Sequence, residues 1–571
     1  MSTHKLAQRW LASAAVVTLA FAGCSKADTT TGSGSKGSDT TATTGNDINA
    51  KDVKDIGEGG TLRLANNAYP ANWNVNTSDG NEENTINIDE AINPYLVMYT
   101  GDGKVIPNPE YVVRMEKKSD SPLTVEYELK PGLKWSDGTA MDYKSIENAF
   151  KYLDGTHKEY QIASSEGYNK VSGIKQGANA QTAVVTFKEN YADWQGLFTV
   201  IPDAMVKDAK TFNSGSIDKP MVTGGPFKIE KLDPQNKTVS LIPDPAWTGT
   251  KPKLARILWT TIESPAATAT SYKNGQLDSV ETKVPAVYTV VKDMVGNGSV
   301  LRKAPAPSWT HFTLNGAKGR ALSDVKVRQA IQRGINREEV FQSVNAVMPY
   351  PKDMPPLNNH VLTTNQEGYK DNSGDYAKYD PEAAKKILTD AGYTMTNGLA
   401  TKDGKPLKAS FVYNDGSKTW GAVLPVLQEQ MKAIGVTVEV QKVPPTDLFS
   451  KYVIPGQFDM TGFGWNGNPF LSSGDAIWKS TGEQNFGKTG NAEIDALVDK
   501  AAKETDPAQR LTEINEYDAK LWEQAGTIPL WQSYDFLVQN PDLANYGAEG
   551  FANRTDWTKV GYVNGSAKLK A

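Results

Sequence analysis

Cysteine is almost missing: Cys24 is the only one in 571 residues. A body without cysteine has no disulfide, no thiolate metal site and no cysteine nucleophile, so its stability has to come from core burial, which a chain this long can supply. Histidine is nearly as sparse. Beyond the first residues only His157, His311 and His360 occur, too far apart in sequence to make a local metal pair, and each reads as a loop or packed residue. Positive charge is not in excess either. The net charge of −5 argues against nucleic acid, whose phosphates are met by clustered Lys and Arg. The body contains no HExxH or GxSxG, and neither an enzyme nor a resident cofactor or metal is expected.

No apolar run after the first residues approaches membrane-spanning length. What stands at the start is an export signal. Lys5 and Arg9 flank the start of an apolar run, Trp10 to Ala22, and small Ala22 and Gly23 precede Cys24. As a helix that run spans only about 20 Å against a hydrocarbon core of roughly 30 Å, so removal is expected rather than retention. Phe21-Ala22-Gly23-Cys24 resembles a bacterial lipoprotein box, which implies lipidation of Cys24 and anchoring of the protein outside the cell membrane. The alternative is an ordinary secretory signal with an incidental cysteine. Ser25 to Gly45 holds almost only Ser, Thr, Gly, Asp and Lys, too little apolar surface to offset ordering entropy, and reads as a tether. Its extended reach is at most roughly 70 Å.

The body has the periodicities of mixed helix and strand. Thr61 to Ala65 and Val436 to Val440 alternate as strands do. Asp380-Pro381 offers an N-cap and a first-turn proline, Ala384, Ile387, Leu388 and Ala391 form one apolar stripe, and Gly392 closes the helix. Leu424, Leu427, Met431 and Ile434 repeat the pattern, as do Ile494, Leu497, Val498 and Ala501. A further helix starts at Asp506-Pro507, carries Leu511, Ile514 and Leu521, and runs up to Gly526. Such stripes are core. The 13 tryptophans and 23 tyrosines are more telling, because several stand in Gly, Asn and Pro-rich stretches of the kind that make binding surfaces.

A series of phrases, in order, resembles the large extracytoplasmic solute-binding proteins of peptide-type ABC importers, the dipeptide and oligopeptide-binding family. Tyr127 to Thr139 is the most characteristic, running through Pro131-Gly132 and Trp135-Ser136-Asp137-Gly138. Gly224-Gly225-Pro226-Phe227, Asp244-Pro245-Ala246-Trp247, Leu322 to Ile331, Tyr379-Asp380-Pro381 and Ile528-Pro529-Leu530-Trp531 follow. The resemblance covers nearly the whole body. It implies an α/β, bilobal periplasmic-binding-protein-like fold of the large, three-domain type II class (cluster C), closing on its ligand through a hinge. The expected order is signal peptide 1–23, tether 24–56, domain I of the first lobe 57–96, domain II 97–222, domain I again 223–305, domain III as the second lobe 306–535, and domain I once more 536–571.

By the same resemblance the function is capture of a peptide or peptide-like solute by a monomeric receptor and its delivery to an ABC permease with its ATPase subunits. Gly464, Trp465, Asn466 and Asn468 match a stretch that lies along the ligand, with the tryptophan packing on the cargo. Relatives carry an acid for the peptide amine where this chain has Asn468, which contributes no charge, so Asp475, Glu82 or Glu83 is a substitute, or the cargo lacks an ordinary free amine. Gly80, Asn81 and Glu82 match a first-lobe loop that contacts ligand, Thr223 and Gly224 lie where the chain recrosses between domains, and Trp309 either lines the cleft or packs the hinge. Trp135 and Asp137 have a sufficient structural explanation in a turn. Replacing Trp465 by Ala is expected to weaken cargo binding at nearly unchanged melting temperature. Other cargoes remain open: a chelated metal, an oligosaccharide or a small cationic metabolite. A secreted hydrolase or an adhesin is the reading from another class.

Overall fold

The computed structural model describes residues 45–570 except Asn553. The signal, Cys24 and most of the tether lie outside the described residues. The described chain forms two compact units, one of residues 306–349 and 355–533, the other of 45–305, 350–354 and 534–570.

The second of these units holds two four-stranded sheets. In one, β1 (Thr61–Asn66) alternates as its sequence predicts, burying Leu62 and Leu64. The other, of β2 (Val112–Asp120), β3 (Leu123–Leu129), β4 (Val171–Gln176) and β5 (Thr182–Phe187), has the order β2-β3-β5-β4. The remaining strands of the first sheet are β6 (Phe227–Asp233), β7 (Thr238–Pro243) and β8 (Arg256–Thr261), in the order β1-β8-β7-β6, with β1 parallel to β8. Each sheet has its own core. Leu62, Leu64, Ile257 and Trp259 pack with Ile88 and Ile92 of helix α1 (Glu83–Ile92), while Val125, Tyr127 and Leu129 pack with Ile146 and Phe150 of α2 (Tyr143–Tyr152). Trp135 is buried in the second core and its indole N–H donates to Ser145 Oγ at 3.2 Å, and Asp137 accepts from the backbone and hydroxyl of Thr139. Both residues shape the turn. A short strand, β9 (Ser279–Glu281), and helix α3 (Pro285–Val291) follow.

Residues 47–56 belong to this unit as well. Asp47 bridges to Ala548 and its carboxylate pairs with Arg302 at 3.1 Å, Asn49 donates to the carbonyl of Leu543, and Ile56 is buried. The expected tether to residue 56 is therefore too long. In this stretch the backbones of Asp47 and Ile56 and the side chain of Asn49 pair with the C-terminal segment, and the Asp47 carboxylate with Arg302.

The other unit is built on β10 (Val300–Leu314), β11 (Lys408–Asn414), β12 (Thr437–Val443), β13 (Met460–Asn466) and β14 (Thr527–Gln539), ordered β14-β10-β13-β11-β12 within it. The chain passes from one unit to the other inside β10, at 305/306, and inside β14, at 533/534. The helices expected from periodicity are present: α4 (Pro381–Asp390), α5 (Lys418–Ala433), α6 (Ala492–Lys503) and α7 (Pro507–Gln524). Asp380 and Asp506 cap as predicted, accepting from the backbone N–H of Ala383 and Gln509. The helix expected to run up to Gly526 ends at Gln524, and the residue that closes it, Ala525, is left-handed with φ 49°. Gly526 is required for lack of space: a Cβ there would stand 2.1 Å from the Thr489 hydroxyl. No helix among the described residues is long and apolar enough to cross a membrane.

Candidate functional site

The unit built on β10 to β14 brings together part of the expected ligand stretch. In the antiparallel register of β10 with β13, Trp309 faces Trp465, Thr310 faces Gly464 and Ser308 faces Asn466. On its other side β13 pairs with β11 only through Met460 and Thr461. From Gly462 onward that edge leaves the ladder, and Gly464 and Asn466 are exposed. A strand edge of this kind can take an added extended segment through main-chain hydrogen bonds. The backbone N–H of Gly467 donates to Pro307, and the Asn468 side-chain oxygen accepts from the N–H of Phe470, turning the chain toward the short helix that Asp475 opens.

Trp465 is held more firmly than a ligand platform needs. Its ring is stacked against His311 at 5.7 Å and 9°, and against Phe486 at 6.0 Å and 7°, with Phe463 edge-on. Trp309 is 4 % exposed and belongs to the same core as Trp478, Ile494 and Tyr517. The hollow beside Trp465, lined by His360, Trp478 and Phe486, measures about 20 Å³, room for one water. Burial holds the His311 imidazole down to about 3, so it is neutral, and His360 is fixed between the Asp518 carboxylate at 2.8 Å and the Thr527 carbonyl at 3.0 Å.

The expected residues of the other unit are engaged in local structure. Gly80 sits where a Cβ would meet the Asn74 carbonyl oxygen at 2.1 Å, and the N–H groups of Gly80 and Asn81 donate to Thr77. Thr223 exchanges two hydrogen bonds with Ser136, and the N–H of Gly224 donates to the carbonyl of Ile92. Glu82 is exposed as the N-cap residue of α1.

Sequence reasoning missed a hollow of this unit, a cavity of about 410 Å³. It opens where β1 ends at Asn66, beside α1, β9 and α3, and against the segment Asp535 to Trp557. Its wall carries six carboxylates and a single ammonium, Lys283. Lys283 pairs with Glu281 at 2.5 Å and Asp535 at 3.4 Å; burial would lower it, and these two acids more than reverse that. Burial pushes the Glu90 carboxyl up to about 8, against the pull of Arg554, and Glu549 up to about 7, against a hydrogen bond from the Thr555 hydroxyl at 2.8 Å. Asp535 is raised too, again chiefly by burial and partly offset by Lys283. Of the acids weighed from sequence only Glu83 reaches this wall. The contributors come from separated stretches of chain, and only the spacing of acids along α1, Glu83 and Glu90, hints at it.

A cavity of this size with convergent polar groups, in a chain that also presents an open strand edge flanked by aromatic rings, defines a binding protein. Comparison with known proteins gives the class more narrowly. The family model described as bacterial extracellular solute-binding proteins, family 5, middle, matches residues 107–487. The oligopeptide-binding protein OppA of Mycobacterium tuberculosis is 34 % identical over 525 residues, 91 % of this chain and 88 % of the relative. Among solved structures, the periplasmic EDTA-binding protein EppA superposes with a TM-score of 0.81 at 22 % identity, over 90 % of this chain and 98 % of its own. AppA of Bacillus subtilis, solved in complex with a nonapeptide, gives 0.69 at 20 % identity, over 89 % and 100 %. The chain belongs to the family 5 bacterial extracellular solute-binding proteins, and its fold is the bilobal periplasmic-binding fold of that family.

Proposed function

We propose that this chain is the extracytoplasmic receptor of a peptide-type ABC importer: it captures a peptide or peptide-like solute and hands it to a permease whose ATPase subunits supply the energy. The observation that carries the reading is the 34 % identity to an oligopeptide-binding protein across nine-tenths of the chain. The open edge of β13 beyond Thr461 supports it, because main-chain pairing recognises a peptide whatever its side chains. The protein acts as a monomer, breaks no bond, and is held at the outer face of the cell membrane by lipid on Cys24. The proposed domain order is that expected from sequence, with domain III corresponding to the unit around β10 to β14 and with the tether shortened to end before Asp47. The ligand-contacting role of Gly464, Asn466 and Asn468 is part of the same proposal.

The likeness to an EDTA-binding protein favours a second reading, a chelate as cargo. The excess of acids over bases in the cavity wall weighs against it, since a polycarboxylate chelate is itself an anion and the wall carries one ammonium, Lys283, already paired with Glu281 and Asp535. Native mass spectrometry of the chain from Ser25 onward, purified without denaturation and then stripped of whatever it carries, decides between the two. Recovered peptides support the receptor reading; a recovered metal chelate replaces it with the second.

A further inference from the structure

The cavity is more acidic than its own bases can balance. Lys283 serves Glu281 and Asp535. The Arg554 guanidinium lies over the Tyr95 ring at 4.1 Å and acts on Glu90 only at longer range. Among the described residues, neither Glu90 nor Glu549 has a cationic partner within ion-pair distance. Their polar contacts are the Thr555 N–H at 3.4 Å for Glu90 and the Thr555 hydroxyl for Glu549. At the rim, Glu83 is exposed and acts on Lys283, and Glu263, also exposed, is paired with Lys237 at 2.5 Å.

Independent of the acids, the same wall holds polar groups with no partner. Ser279, Trp259 and Trp557, at 4 %, 5 % and 3 % exposed, contribute a hydroxyl and two indole N–H groups that make no hydrogen bond. Buried donors left unpaired are costly, and a wall with three of them suits a molecule that brings acceptors. Trp557 also packs with Trp259 at 6.4 Å and Tyr546 at 6.0 Å, so the acids stand beside aromatic rings, which attract cations in their own right. Among the described residues no three acids or histidines are spaced to hold a metal ion, whose oxygen ligands lie at about 2 Å where the acceptors around an ammonium lie at about 2.8 Å.

We infer that this cavity receives an organic ammonium group of the cargo, held between Glu90, Glu549 and Asp535 against the Trp259 and Trp557 rings, with neighbouring carbonyl oxygens of the cargo accepting from the unpaired donors. The inference rests on the receptor reading and narrows its substrate class to peptides or amides that carry a positive charge. That charge comes either from the amino end or from a lysine side chain, and the shared chemistry is the ammonium.

Calorimetric titration of the whole chain separates these cases with four probes: tetra-alanine with a free amine, acetyl-Ala-Lys-Ala-Ala amide, acetyl-tetra-alanine amide, and spermidine. One or both of the first two should bind at least about tenfold more tightly than the third, as charge-assisted contacts imply. Whichever binds shows which ammonium is read. In Glu90→Gln/Glu549→Gln that preference should shrink to within about twofold. Val284→Lys, at an exposed position of the wall where folding is not at stake, should shrink it likewise by supplying the positive charge from the protein. Equal binding of the uncharged probe, or a preference that survives in both variants, overturns the inference and leaves the peptide receptor standing. Binding of spermidine with none of the peptides overturns the peptide reading and retains the cationic cavity. Binding of none of the four overturns the cavity assignment.

Discussion

Trp309 and Trp465 stand directly opposite each other across β10 and β13, yet they differ in what they can do. Trp309 is sealed in the core, and Trp465 is half-buried between the His311 and Phe486 rings. The expectation that Trp465→Ala leaves stability untouched does not survive this geometry. Removing a ring that stacks with two others should cost about 2–3 kcal/mol, short of the full core value because Trp465 is only half-buried. Trp465→Phe, which keeps an aromatic ring in the slot, should recover most of it. Chemical denaturation of the three proteins checks this; an Ala variant as stable as the parent would show that the stack contributes nothing.

The cavity acids give the ligand-free chain a pH dependence of definite sign. Glu90 and Glu549, raised by burial to about 8 and about 7, bind protons more tightly folded than unfolded, where a glutamate titrates near pH 4.3. Arg554, Thr555, Asp89, Asp535 and Lys283 are the groups around them, and the raised values already include the Arg554 and Thr555 contributions. Their contribution to stability is complete below about pH 4.3, declines as pH rises above it, and is gone beyond about pH 7 for Glu549 and about pH 8 for Glu90. The melting temperature should therefore fall between pH 6.5 and 8.5, and Glu90→Gln/Glu549→Gln should flatten that fall. His311, lowered to about 3, acts only at more acid pH, where protonation opposes folding. A parent whose melting temperature is level across the window would contradict the assignment of buried, uncompensated acids.

Binding of a cation reverses that penalty. A bound ammonium favours the ionised form of Glu90 and Glu549, so uptake near neutral pH should release protons and the affinity should rise from pH 6 to pH 8. Titration in two buffers of different ionisation enthalpy reads the proton release directly. Proton uptake instead would mean that the guest is an anion.

Asp278 ties the C-terminal segment to β1. Its buried carboxylate accepts from Arg63 Nε at 2.9 Å, from the Arg63 backbone N–H at 2.9 Å and from Lys568 Nζ at 2.8 Å. Burial would raise this carboxyl, and those hydrogen bonds hold it below the ordinary range. Asp278→Ala leaves Arg63 and Lys568 without their shared partner and should cost roughly 3 kcal/mol, read as a lowered urea midpoint. A midpoint within experimental scatter of the parent would show the pairing to be solvent-compensated.

If Cys24 carries the proposed lipid, Cys24→Ala should move the protein from the membrane fraction to the medium while leaving cargo binding by the body unchanged, measured by detergent-phase partitioning and the titrations above. Retention at the membrane without Cys24 would mean that the signal is kept.

Local chemistry along the chain determined the elements and the family. Helix caps at Asp380 and Asp506, alternation in β1 and the ordered phrases from Tyr127 to Trp531 are written in neighbouring residues, because hydrogen-bonded turns and apolar stripes depend on spacing alone. Trp135 and Asp137 shape their turn through near neighbours in sequence for the same reason. The tertiary structure decided what spacing cannot carry: that Asp47 to Ile56 dock, that Gly526 is glycine to admit Thr489, and that Trp465 is wedged between two rings. Above all it made the acidic cavity, whose Glu90, Glu281, Asp535 and Glu549 are separated by up to hundreds of residues. Each is an ordinary surface acid in sequence, and only the tertiary fold brings them together in one partly desolvated wall with few bases among them.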